Sequence, residues 1–169
     1  IAELDALVDE VLLASRLDAQ AAMFSPMAFD VVPLAAEEAA RSGVELQADE
    51  PTLTVHGDER LVRRALRNLL DNARRYGGSA VSLKASAADG GVALRVCDQG
   101  PGVPEALRER IFEPFFRMPG HAEQAGGVGL GLALVQQIAK RHGGWVRCEA
   151  GSDGVGSCFV LWLPQSRAG

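Results

Sequence analysis

The chain has 169 residues, 47% of them hydrophobic, and a formal net charge of −5. That length fits one domain with or without an appendage, and that apolar content excludes a disordered chain. The acidic balance argues against non-specific nucleic-acid binding, and no apolar run approaches the roughly 18 residues that a membrane span needs.

Ile1, Leu4, Val8, Val11 and Ser15 recur at heptad-like intervals, widened by Leu7 and Leu12. No N-cap precedes Ile1, so residues 1–19 read as the end of a longer bundle helix and 20–27 as a linker. Phe29–Val32 reads as a short strand, Pro33–Ser42 as a helix with Gly43 at its C-cap, Val44–Ala48 as a strand and Pro51–Val55 as extended. Asp58 is placed to cap the next helix, in which Leu61, Val62, Ala65, Leu66, Leu69, Leu70 and Ala73 form one apolar face. Asn68, Asn72 and Arg75 fall on a neighbouring stripe, and Arg63, Arg67 and Arg74 on a basic face expected to be solvated. Gly77-Gly78 ends that helix.

Residues 80–87 and 92–97 alternate at period two around Asp89-Gly90-Gly91, a hairpin signal. Pro104–Arg110 reads as a short helix. Residues 112–127 lack periodicity and read as a mobile loop. Leu130, Leu134, Val135, Ile138 and Ala139 mark a further helix closed by Gly143-Gly144, and 145–150 with 157–163 form a second hairpin. The class is therefore α+β: a two-layer sandwich of a mixed, mostly antiparallel sheet covered by three helices. Cys97, Cys148 and Cys158 show no metal-ligand spacing and read as buried, reduced thiols of a cytosolic protein.

Four stretches carry chemistry. Asn-Leu-Leu-Asp-Asn-Ala-Arg-Arg-Tyr (68–76) puts two amides beside the core face, although Asn is a mediocre helix former, and an amide oxygen suits a hard cation such as Mg²⁺. Asp98-Gln99-Gly100-Pro101-Gly102 follows directly on a strand. It is either an ordinary turn or a fixed carboxylate able to accept from an exocyclic amine. Phe112-Glu113-Pro114-Phe115-Phe116-Arg117 is an aromatic root for the loop, with a guanidinium able to meet a phosphate. Gly126-Gly127-Val128-Gly129-Leu130-Gly131-Leu132 opens a helix, where backbone N–H groups and the helix dipole suit a phosphate; no Lys-Ser/Thr follows, so it is not a Walker A loop.

In this order the four stretches resemble the N box, first glycine box, phenylalanine box and second glycine box of the ATP-binding fold shared by gyrase B, Hsp90, MutL and the sensor histidine kinases. The resemblance covers about residues 28–164. Within that superfamily the sequence looks like the catalytic domain of a two-component histidine kinase. Asn-Leu-Leu-x-Asn-Ala is that branch's form of the N box, and Phe-Glu-Pro-Phe-Phe-Arg and His142-Gly143-Gly144 are similar to it too. The ATP-hydrolysing relatives carry a glutamate base where this chain has Asn68, an amide that takes no proton at neutral pH.

The resemblance implies that Asn72 ligates Mg²⁺ and that Asp98 reads the adenine amino group. It implies that Asn68, Arg75 and Tyr76 line the phosphates, and that Gly100 and Gly102 permit close approach. Phe112 and Phe116 flank the site, Gly127, Gly129, Leu130, Gly131 and Leu132 wrap the triphosphate, and Ser157 supports the adenine end. Asn68 and Arg117 would be the catalytic groups, Arg117 meeting the γ-phosphate. Phe116 stands where many relatives have Tyr, and Arg75 where Lys is commoner. No histidine lies in a phosphoacceptor context.

The implied function is transfer of the γ-phosphoryl of Mg·ATP to a histidine on a dimerisation bundle, for relay to a response regulator receiver domain. The parent would be a homodimer in the bacterial inner membrane, with this part in the cytoplasm. The alternatives are an ATPase or anti-sigma-type serine kinase of the same superfamily, or a non-catalytic nucleotide-sensing interaction module.

Overall fold

The computed structural model describes residues 24–77, 80–116, 130–151 and 154–166. The expected bundle-helix end, most of the linker, Gly78, Arg117, Gly127 and Gly129 lie outside them. Seven strands are described: β1 (Met27–Asp30), β2 (Leu46–Ala48), β3 (Thr54–Gly57), β4 (Ser82–Ala88), β5 (Gly91–Cys97), β6 (Trp145–Ala150) and β7 (Ser157–Pro164). Three α-helices accompany them: α1 (Val31–Ser42), α2 (Glu59–Tyr76) and α3 (Gly131–Arg141).

β2, β4, β5, β7 and β6 form one sheet in that order, with β2 parallel to β4 and the other neighbours antiparallel. β1 and β3 pair antiparallel as a separate ribbon. The helices cover one face, as the alternation requires. Leu83, Leu94, Val96, Phe159, Leu161 and Leu163 point into the core, where they meet Val62, Leu66, Leu69 and Leu70 of α2 and Leu134 and Ile138 of α3. Each fully buried leucine contributes about 1.5–3 kcal/mol relative to exposure, so α2 is held by its apolar face rather than by propensity.

Two local expectations are revised. The strand expected at Phe29–Val32 ends at Asp30, and the helix begins two residues before Pro33. Val31 and Val32 look strand-forming, but Asp30 Oδ1 accepts from Val32 N and from Leu53 N, both at 3.0 Å, and so caps α1. The helix expected at 104–110 is two short 3₁₀ turns, Glu105–Leu107 and Arg110–Phe112. Asp58 caps α2 as its position suggests, accepting from Arg60 N at 3.1 Å.

Candidate functional site

Asp98 leaves the end of β5 with only 7% of its surface exposed. Its Oδ1 accepts from Gly100 N at 2.9 Å and from Ser157 N at 3.3 Å, and its Oδ2 accepts from Ser157 Oγ at 3.1 Å. Two carboxylate oxygens offer about four acceptor sites, and the described donors take three of them. Asp98 N in turn donates to Ser157 O at 2.9 Å, the last rung of the β5–β7 ladder. The surrounding backbone comes very close: a side chain at Gly77, after α2, would strike the Asp98 side chain. One at Gly156, whose φ is +70°, would strike the Asp98 carbonyl. The first glycine box, the end of the N-box helix and the start of β7 therefore converge on one held carboxylate. Gly100 packs on Gly77 and Tyr76, and Gly102 (φ +79°) on Gly156.

Along α2, Asn68 and Asn72 are half-buried, Arg75 is exposed and Tyr76 is half-buried. Asn68 Nδ2 donates to Gly131 O at 3.3 Å, which ties the N box to the first turn of α3; among the described residues nothing bonds its amide oxygen. Leu130 is buried before α3, and Leu132 packs at the core edge. Phe112 is buried edge-on to Phe159, with ring centroids 6.3 Å apart. Phe116 lies under the Arg110 guanidinium at 4.9 Å. Among the described residues, the expected site residues thus gather along α2, the β5 end and the α3 start. Arg117, Gly127 and Gly129 are outside the described residues.

Three features escaped sequence reasoning. His142 is buried at the C-terminal end of α3, with Nδ1 on Ile138 O at 2.7 Å and Nε2 accepting from Asp58 N at 3.0 Å. α2 and α3 are therefore pinned antiparallel at two points, Asn68–Gly131 and Asp58–His142, about 15 Å apart along each helix. Burial, outweighing the hydrogen bond to the Ile138 carbonyl and the charge of Asp58, lowers the His142 pKa below its usual 6.5 and favours the neutral ring. Phe24, just before β1, sits edge-on to His142 at 5.0 Å and so touches this joint. Arg64, one turn before Asn68, has a buried Nε with no hydrogen-bond partner among the described residues.

The cysteine reading is corrected. Cys97 and Cys158 form a disulfide, and only Cys148 is a free, buried thiol, its pKa pushed up to about 11 by burial. Cys97 and Cys158 are opposite one another in the β5–β7 register. The neighbouring pair, Asp98 and Ser157, is hydrogen-bonded, so theirs is the narrow, non-hydrogen-bonded position where cross-strand side chains lie closest. Spacing along the chain does not show that register.

A two-layer sandwich that brings the amides of α2, a held carboxylate and the Gly131 start of α3 together defines a nucleotide-binding domain of the gyrase and kinase type. The chain belongs to the histidine kinase-, DNA gyrase B- and HSP90-like ATPase family, which matches residues 57–167. It is 33% identical over 170 residues to the sensor histidine kinase CpxA of Escherichia coli, covering 95% of this chain and 37% of CpxA. It thus spans little more than a third of that relative's length. Among solved structures it is similar to full-length ShkA in complex with AMPPNP (35% identity, TM-score 0.75, covering 95% of this chain and 35% of that one). It is also similar to the mycobacterial sensor histidine kinase MprB (30% identity, TM-score 0.67, covering 83% and 97%).

Proposed function

We propose that residues 28–164 are the ATP-binding catalytic domain of a sensor histidine kinase, and that residues 1–19 close the second helix of its dimerisation bundle. The observation that carries the reading is Asp98: a buried carboxylate, oriented by three donors, with acceptor capacity left for the adenine amino group. That one relative was solved with AMPPNP supports a nucleotide here.

The residues present fit a triphosphate with Mg²⁺. No described cluster of three or more His, Cys, Asp or Glu holds a metal unaided. The donor set instead suits Mg²⁺ bound through the Asn72 amide oxygen together with phosphate oxygens and water, as this ion usually is. Bound Mg²⁺ would neutralise charge on the β- and γ-phosphates. Asn68 would orient that edge, Arg75 and Tyr76 would flank the phosphates, and Arg117 would stabilise the charge of the group being transferred. Asn68 cannot act as the base that hydrolysis needs, which favours transfer to a histidine over an ATPase. The phosphoacceptor bundle, the response regulator and a homodimeric parent in a membrane belong to the same reading. No helix among the described residues is long and apolar enough to cross a membrane.

Calorimetric titration with a non-hydrolysable ATP analogue, with and without Mg²⁺, tests the site; one nucleotide per chain is expected. Asp98→Asn should erode the preference for ATP over GTP, and an unchanged preference overturns the adenine assignment. Arg117→Ala should spare binding and slow phosphorylation of a supplied bundle; loss of binding first would show its role to be different.

A further inference from the structure

We propose that Cys97 and Cys158 form a reversible thiol–disulfide site that sets how firmly the Asp98 carboxylate is held, and so how well the domain reads adenine. This rests on the assignment of Asp98 to adenine. The bridge occupies the register pair immediately before Asp98 and Ser157. Those next residues make the Asp98–Ser157 backbone hydrogen bond and both Ser157 contacts to the carboxylate. The covalent rung therefore fixes the separation of β5 and β7 one residue from the contacts that aim the carboxylate. The two cysteines are 61 positions apart, and the loop they close contains the phenylalanine box, the second glycine box and α3.

The two sulfurs are unequally accessible. Cys158 is 1% exposed, whereas Cys97 is half-buried and lines a hollow of about 220 Å³ with Ala80, Ser82, Gln99 and Val155. A small dithiol reductant therefore enters at Cys97. Its thiolate attacks Cys97 Sγ, the Cys97–Cys158 bond breaks, and Cys158 leaves as a thiolate that takes a proton. The second thiol of the reductant then attacks the mixed disulfide and releases Cys97, also protonated in turn. The protein disulfide gains two electrons, and the dithiol leaves as a cyclic disulfide. Cys148 is no internal partner. It pairs in register with Phe159 on the opposite, helix-covered face of the sheet, and its thiol is protonated at neutral pH.

The test uses the whole chain equilibrated in oxidised or reduced dithiothreitol, with thiols counted by alkylation and mass spectrometry. One alkylated cysteine is expected in the oxidised state and three in the reduced state. Titration with Mg·ADP should give a Kd about fivefold weaker after reduction, and the preference for ATP over GTP should narrow. By reciprocity, saturating ADP should move the thiol–disulfide equilibrium toward the disulfide by the same fivefold factor, about 21 mV for a two-electron couple. Cys97→Ala should show the reduced-state affinity in both buffers, and Cys148→Ser should keep the full redox response. Three alkylated cysteines in both buffers, or equal Kd values in the two states, overturn the proposal. Should Mg·ADP fail to bind in either state, the nucleotide-site reading falls and the redox coupling falls with it. A redox effect on thermal stability with no effect on the ATP-to-GTP ratio would make the bridge a structural staple, which also overturns the proposal.

Discussion

Helix α2 carries two polar flanks that look similar as sequence and behave oppositely in the fold. One flank faces α1. There Glu38, 1% exposed, accepts from Arg67 at 2.8 and 2.9 Å, from Arg63 at 3.0 Å and from Arg41 at 3.2 Å. Arg74 donates to the Ser42 carbonyl at the end of α1. The other flank carries Arg64, Asn68, Asn72 and Arg75. Its only described hydrogen bond is the one from Asn68 to Gly131, and no described acid pairs with Arg75. The first flank is closed on itself and locks two helices together. Among the described residues the second leaves most of its donors and acceptors unpaired, which is what the proposed ligand site requires. Charge on a helix surface therefore says little until the neighbouring helix is known.

The contrast breaks first at Glu38. Hydrogen bonding from Arg67, then from Arg63 and Arg41, holds its pKa down from 4.5 to about 2 against the cost of burial. A folded pKa below the unfolded one means that this stability is fully present above about pH 4.5. It is lost as pH falls from there toward about 2. The guanidiniums are 31–39% exposed, so solvent screens part of the interaction. Glu38→Gln should cost about 2 kcal/mol by denaturant unfolding at pH 7 and should remove the drop below pH 4.5. The nucleotide Kd of the folded protein should stay within about twofold; a parallel loss of binding would show that the flanks are not independent.

Asn72→Ala probes the other flank. We expect a loss of about tenfold in nucleotide affinity in Mg²⁺, about 1.4 kcal/mol, with unfolding stability within about 0.5 kcal/mol of the parent. Equal loss with and without the metal would count against a ligand role. Arg75→Ala should cost less, about threefold in Kd, and Arg75→Lys should restore part of it because the charge remains while the forked geometry does not.

How much of this was legible follows from the range of the forces involved. The apolar face of α2 was readable because a 3.6-residue period is local, and six of the seven residues it named are buried. Leu61, at its edge, is half-buried. The hairpin at Asp89-Gly90 was readable because both residues take positive φ, as that turn demands. Arg63 and Arg67 were misread as solvated because their partner lies more than twenty positions away, on a helix whose one buried acid is indistinguishable in sequence from its exposed neighbour Glu37. Cys97 and Cys158 failed for the same reason, since strand register is a tertiary fact. The N box and the first glycine box were legible because each is a pattern confined to a few consecutive residues.

His142 belongs to neither flank, and it carries the smallest expected effect. It joins the end of α3 to the start of α2, so it tests whether the two helices act as one pinned pair. Burial holds its pKa below 6.5, with Asp58 opposing and Arg141 assisting the shift. The stability it supplies as a neutral ring is therefore present above about pH 6.5. As pH falls below that value the unfolded chain takes up a proton that the folded chain refuses, and stability declines until the folded pKa is passed. The chain has three histidines, so the informative quantity is a difference between variants. His142→Gln should flatten the slope of unfolding free energy between pH 7.5 and pH 6 while leaving the Glu38 drop below pH 4.5 intact. In the parent, protonating His142 converts its Nε2 from acceptor to donor, which sets it against the Asp58 N–H. The end of α2 that loosens is the one away from Asn72, and Asn68–Gly131 still holds the other. Nucleotide affinity should therefore fall less than stability over that pH range, and a fall in affinity of the same size would mean that the two pins are one cooperative unit.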